Sequence, residues 1–217
     1  LLITFAIQGL AASPFNIGVI HDCKAISNTQ ILNDIKKEVI SLTKGEFDVR
    51  FPSKYTIISD CSKKRIKNSI DHLLQDPDVK MLLTLGPLGS QILGQYKNFS
   101  KPCIAGLVLN PELQGIPFIN KTSGKHNLTY VVLSPNLKNN IEQFKKLVSF
   151  KEVAFLYDES ISDVMMPGKE FLQKLEENGT RIIFIPVGSQ LQPLKEQLPT
   201  TIEAIFLGQL VKMDDQG

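Results

Sequence analysis

The chain has 217 residues, with 24 Lys and Arg against 22 Asp and Glu, a formal net charge of +2 at pH 7. That balance is too weak to draw in nucleic acid or an anionic membrane by charge, and with no Trp and only 4 Tyr there is no aromatic platform for stacking single strands. A hydrophobic fraction of 42% excludes a disordered chain, and the length suits one large domain or two small ones.

The first residues, 1–12, form an apolar run with the length of a signal-peptide core and a small-residue end. A buried first strand and an uncleaved amino-terminal anchor are the other readings. The run is too short for a membrane-spanning helix, and no later run reaches that length. Strand-like runs then follow at 16–21, 47–59, 79–86, 102–109, 128–133, 152–157, 180–187 and 203–207. Helical stripes lie between most of them. Ile31, Ile35, Val39 and Leu42 make one, capped by Asn28 or Thr29. Ile66, Ile70, Leu73 and Leu74 make another after Ser62, with Lys63, Lys64, Arg65 and Lys67 as its solvated face. A third, Leu137, Ile141, Phe144 and Leu147, opens at Ser134 and Pro135, and a fourth, Phe171, Leu172 and Leu175, runs from Pro167 to a stop at Gly179. The alternation predicts an α/β fold with mostly parallel sheets. Between residues 110 and 127 the rhythm breaks, with Pro111, Gly115, Pro117 and Gly124 and no helical stripe. This is read as the passage between two α/β lobes, giving a leader at 1–12, a first lobe at 13–134 and a second, partial lobe at 135–217.

Three cysteines allow one disulfide and one free thiol. Cys23 and Cys61 can pair if the strands they follow are neighbours, and Cys103 reads as a small core residue. No spacing resembles a zinc site, so neither a metal nor a cofactor is expected. Asn-x-Ser/Thr triplets begin at Asn98, Asn120, Asn127 and Asn178 and matter only in a eukaryotic protein.

Open α/β sheets bind ligands at the carboxyl ends of their strands. The candidate binding residues are therefore Asp22; Gly86, Pro87, Leu88, Gly89 and Ser90; Asn110; Tyr157, Asp158 and Ser160; Ser189; and Gln209. Residues 86–90 open a helix, where exposed amides and the positive end of the dipole can hold a carboxylate or phosphate; a plain turn is the alternative. Tyr157 either stacks on a flat ligand or packs at a lobe edge. His21–Asp22 and Asp158–Glu159 are adjacent pairs without a third partner, and the nucleophile elbow G-x-S-x-G is absent, so the chain is not expected to be an enzyme.

Several segments resemble one family. VAFLYDES at 153–160, GKEFLQKLEENG, TRIIFIPV and EAIFLG are similar to the second lobe of bacterial ABC-transporter substrate-binding proteins of the tryptophan- or tyrosine-uptake branch. IGVIHD, LLTLGPLGSQIL, KPCIAGLVLNPELQGI and HNLTYVVLSP are similar to the strand–loop units of its first lobe. The likeness extends from Phe15 to Leu210 and rests on order and spacing. It implies the type I periplasmic binding fold, two Rossmann-like lobes closing on a small molecule, with the second lobe incomplete here. The binding loops depart from the pattern. Pro87 stands where the family has a hydroxyl residue, Leu109-Asn110-Pro111 replaces Thr-Asp-Pro, and Asp158, Glu159 and Val164 replace Asn, Pro and Ser. Losing a buried polar group changes ligand preference strongly. The resemblance implies a monomeric, exported, periplasmic solute-binding protein that presents a small molecule, an amino acid in the family, to an ABC permease. Hinges are expected near Ser134 and after Gly208. The alternative is an envelope-interaction or efflux accessory protein with a degenerate cleft.

Overall fold

A strand buried on both faces needs a continuous apolar run, and β1 (Phe15–His21) has one: residues 17–21 are all buried. The computed structural model describes residues 13–24, 26–133, 137–164, 169–177, 179–188 and 192–208. The run at 1–12 and the hinge position Ser134 lie outside them, as does Pro135.

β1 has parallel partners on both sides. One side carries β2 (Val49–Arg50) and β3 (Thr56–Ile58); on the other follow β4 (Val79–Leu85), β5 (Cys103–Val108) and β6 (Leu128–Val132). The path is β2-β1-β4-β5-β6, with β3 paired to β1. The single strand predicted at 47–59 is thus two short ones. Pro52 has no amide for the ladder, and a 3-10 turn at Ser53–Tyr55 interrupts the run there. With β2 and β3 counted as one interrupted strand, the order is doubly wound and reverses between β1 and β4.

Helices cover both faces. α1 (Ile26–Leu42) packs Leu32, Ile35 and Val39 against Ile17, Val19, Leu83 and Leu85. Ile31 is 49% exposed and Leu42 74%; the stripe runs through Leu32 instead, because the sheet lies on that side of the helix. On the opposite face, α2 (Lys63–Gln75) buries Ile66, Ile70 and Leu73, and the Ser62 hydroxyl caps it by accepting from the Arg65 amide. α3 (Pro87–Gln95) is buried from Leu88 to Gly94. At Gly94 a Cβ would press into the Ile116 side chain at 2.6 Å, so only glycine lets the 110–127 segment pack there. That segment forms no helix, but it is not the passage between lobes expected of it: it joins β5 to β6, parallel neighbours in the same sheet.

Lys101 closes the carboxyl end of α2. Its Nζ donates to the carbonyls of Leu73, Asp76 and Val79 at 3.0, 2.7 and 2.8 Å. Lys101→Met keeps the aliphatic stem but leaves those oxygens short of a donor, so urea unfolding should show a loss of about 1–3 kcal/mol. A loss under about 0.5 kcal/mol, the range of ordinary surface changes, would refute this role.

The second sheet is built from β7 (Glu152–Asp158), β8 (Arg181–Val187) and β9 (Ala204–Leu207), all parallel, in the order β8-β7-β9. α4 (Leu137–Leu147), α5 (Lys169–Glu176) and α6 (Gln192–Gln197) accompany them. The order repeats β2-β1-β4. α4 buries Leu137 and Ile141, and Phe144 meets Phe150 and Phe206 at ring-centre distances of 5.1 and 6.0 Å. Leu147 is 83% exposed and falls off the predicted stripe.

One apolar cluster includes Leu82 and Leu88 of the first layer and Phe155 and Phe171 of the second. An exposed ion pair also links the two parts: Lys63 Nζ lies 3.5 Å from Asp163 Oδ2 and donates to the Asp163 carbonyl at 3.2 Å. Because β1 pairs with β3, the loops that follow them run together. Ser59 and Cys61 amides donate to the carbonyls of His21 and Asp22, and Cys23 and Cys61 form a disulfide with a Cα separation of 4.9 Å. Cys103 is free and buried, and burial pushes its thiol up to about 12. Among the described residues no helix is long and apolar enough to cross a membrane.

Candidate functional site

His21 of β1 pairs with Leu85 of β4, so Asp22 and Gly86 leave the sheet side by side at the point where the strand order reverses. There Asp22 turns onto the start of α3. Its Oδ2 accepts from the Leu88 amide at 2.7 Å and its Oδ1 from the Gly89 amide at 2.8 Å. The contact requires glycines. A Cβ at Gly86, whose φ is +150°, would overlap the carboxylate, and one at Gly89 would lie 2.8 Å from Oδ1. Burial pushes the Asp22 carboxyl up to about 7, against the downward pull of the two amides.

This corrects one expectation. The helix-end amides expected to face a ligand's anion face the chain's own carboxylate. The neighbouring groups are also engaged within the first lobe. Ser90 Oγ lies 3.3 Å from Thr84 Oγ1 and accepts from the Leu107 amide at 3.1 Å. The Pro87 carbonyl accepts from Gln114 Nε2 at 3.0 Å, while Gln114 Oε1 accepts from the Leu109 amide at 2.7 Å. Asn110 Oδ1 accepts from the Leu113 amide at 3.0 Å, a local turn that Asn makes as well as Asp. His21 is buried, and desolvation, helped by the Lys36 charge, holds its imidazole below the usual range.

A cavity of about 140 Å³ opens between the two sheets. Leu109, Asn110, Leu113 and Leu133, from the loops that follow β5 and β6, face Leu137 and Asn140 of α4, Phe155 and Tyr157 of β7, Ile161 beyond it, Phe206 of β9 and Gly208. Gly208 donates its amide to the Leu156 carbonyl at 2.8 Å, and a Cβ there would lie 2.8 Å from that oxygen. The backbone therefore stays close to β7 and leaves the space open. Of the residues singled out from the sequence, Asn110 and Tyr157 meet at this cavity. Asp22, Gly86, Pro87, Leu88, Gly89 and Ser90 form the switch point, and none of them lines the cavity. Asp158 is buried at the end of β7, and Ser160 lies in the 3-10 turn Glu159–Ile161. Ser189 and Gln209 lie outside the described residues. The apolar wall was missed, since Leu113, Phe155, Ile161 and Phe206 carry the same signal as core residues. Among the described residues no three His, Cys, Asp or Glu groups are placed to hold a metal ion.

The same architecture recurs in solved structures. An ABC domain from Streptococcus pneumoniae in complex with L-Trp is 16% identical, with a TM-score of 0.59 over 93% of this chain and 67% of that one. A leucine binding protein from Thermotoga maritima MSB8 is 15% identical, with a TM-score of 0.60 over 89% of this chain and 55% of that one. A type 1 periplasmic binding protein from Bordetella pertussis Tohama I is 12% identical, with a TM-score of 0.58 and the same coverage, 89% and 55%. The chain has the type I periplasmic binding fold. It spans between 55% and 67% of the lengths of these type I structures. No protein-family model and no curated protein matches the sequence. The type I fold explains the repeated strand order, and the cavity lies between its two sheets.

Proposed function

We propose that the chain is the binding part of an exported solute-binding protein of an ABC uptake system, holding one small molecule between its lobes and catalysing nothing. The observation that carries this is the cavity walled by residues from both halves of the chain. Solved structures of the same fold support it, one a complex with L-Trp and one a leucine binding protein. Export is supported by the Cys23–Cys61 disulfide, a bond that persists in oxidising compartments. On this reading residues 13–134 and 135–217 belong to separate lobes, Asn110 and Tyr157 touch the ligand, and a monomer closed on its ligand presents itself to a membrane permease. Closure about the connecting segments is the expected motion.

The Asp22 contact favours a second reading. A helix start already filled within the protein suits a scaffold that has given up anionic solutes, and hence an envelope accessory role. Titration calorimetry separates the two. With L-tryptophan, L-leucine and indole as probes, at least one should bind one-to-one and weaken at least about tenfold in Leu133→Trp, a difference of about 1.4 kcal/mol. No saturable heat from any of the three overturns the solute-binding reading.

A further inference from the structure

We infer that the inter-lobe cavity selects an uncharged, ring-sized apolar molecule over a zwitterion; this rests on the solute-binding reading above. Every described residue at the cavity is neutral. The polar side chains are the carboxamides of Asn110 and Asn140 and the phenol of Tyr157; the rest are Leu, Ile and Phe side chains and Gly208. A carboxylate or ammonium entering such a space gives up its hydration without an opposite charge to replace it.

The start of α3 supplies no anion site either, because its Leu88 and Gly89 amides already bond to Asp22. The next residues along are equally committed: Pro87 has no amide hydrogen, and Ser90 Oγ lies against Thr84 and accepts from Leu107. Size points the same way. The cavity, about 140 Å³, has room for a single ring-sized molecule. Phe155 and Phe206 lie nearly parallel at 5.3 Å between ring centres and supply an aromatic wall. A planar ring gains contact there without needing a charge partner.

The test compares indole with L-tryptophan, which share a ring and differ in charge, by calorimetry on the intact chain. Indole should bind at least about tenfold more tightly than L-tryptophan, and equally well in about 0.05 M and about 0.5 M salt, because no ion pair is made for salt to screen. Leu133→Trp should weaken indole at least about tenfold by laying a ring across the cavity mouth. Leu133 is 61% exposed, so the exchange leaves the buried core in place, and since the chain has no Trp the new side chain reports folding and its own burial by fluorescence. L-tryptophan binding as tightly as indole, or more tightly, overturns the neutral-ligand inference while leaving the solute-binding reading standing. Neither compound binding overturns the inference, and if L-leucine is silent too, the reading beneath it. Indole binding unchanged in Leu133→Trp places the ligand elsewhere and also overturns the inference.

Discussion

Asp22→Ala should lower the unfolding free energy by about 2–4 kcal/mol at neutral pH. Two buried amides, those of Leu88 and Gly89, lose their acceptor at once, and each buried unpaired donor is worth about 1–3 kcal/mol. Asp22→Asn keeps one acceptor oxygen and should lose less. Acidity separates charge from geometry. The folded-state carboxyl is raised to about 7 from an ordinary value of 3.8. Between about pH 4 and about pH 7 the folded protein therefore keeps a proton that the unfolded chain has released. Stability from this group is present below that window and is lost as pH rises through it, at no more than about 1.4 kcal/mol per pH unit. Urea unfolding at about pH 5 and about pH 7 should show a more negative slope in the parent chain than in Asp22→Asn, where the buried His21, held below its usual range, leaves a contribution of opposite sign. An alanine variant within about 0.5 kcal/mol of the parent would remove Asp22 from the switch point.

Breaking the Cys23–Cys61 bond should have an effect of similar size. The bonded residues are 38 apart, and a loop of that length restricts the unfolded chain by about 4 kcal/mol on the chain-entropy account. The double variant Cys23→Ser, Cys61→Ser should melt roughly 10 °C lower, since each kcal/mol corresponds to about 2–4 °C for a chain of this size. Reductant should lower the parent by the same amount and leave the variant where it is. Thiol labelling offers an independent check. Cys103, buried with its thiol pushed up to about 12, should resist alkylation in the folded protein and react once the chain is unfolded without reductant. A reductant-insensitive melting temperature, or three reactive thiols in the unfolded parent, would show that the bond does not form.

The order of strands and helices was legible because burial on both faces leaves an unbroken apolar run, as in 17–20 and 153–157. Boundaries within that order were less so. Ile31, Leu32 and Ile35 fit two overlapping helical stripes, and only the position of the sheet decides for Leu32. Pro52 was visible in the sequence as a ladder breaker, but the strand signals on either side of it masked the interruption. The residues of the switch point were found as loop residues, whereas the contact among them was not. Asp22 and Leu88 are 66 positions apart, and the pairing of β1 with β4 that joins them is a long-range fact. A clue was nonetheless present: an acid ending an apolar strand and a Gly-Pro-Leu-Gly turn ending another suit each other as anion and amide nest. The cavity was the least legible feature, because Leu113, Phe155 and Ile161 obey the same pattern whether they face a core or a gap.

The repeated order β8-β7-β9 after β2-β1-β4 makes the two jaws topological twins with different chemistry. In one, a carboxylate is locked into the frame; in the other, by strand register, Tyr157 stands beside Gly208 and faces the gap. Mutation therefore acts differently on each. Around Asp22 a substitution strips two buried amides of their acceptor, whereas at Tyr157 it reshapes the cavity wall together with the apolar cluster behind it.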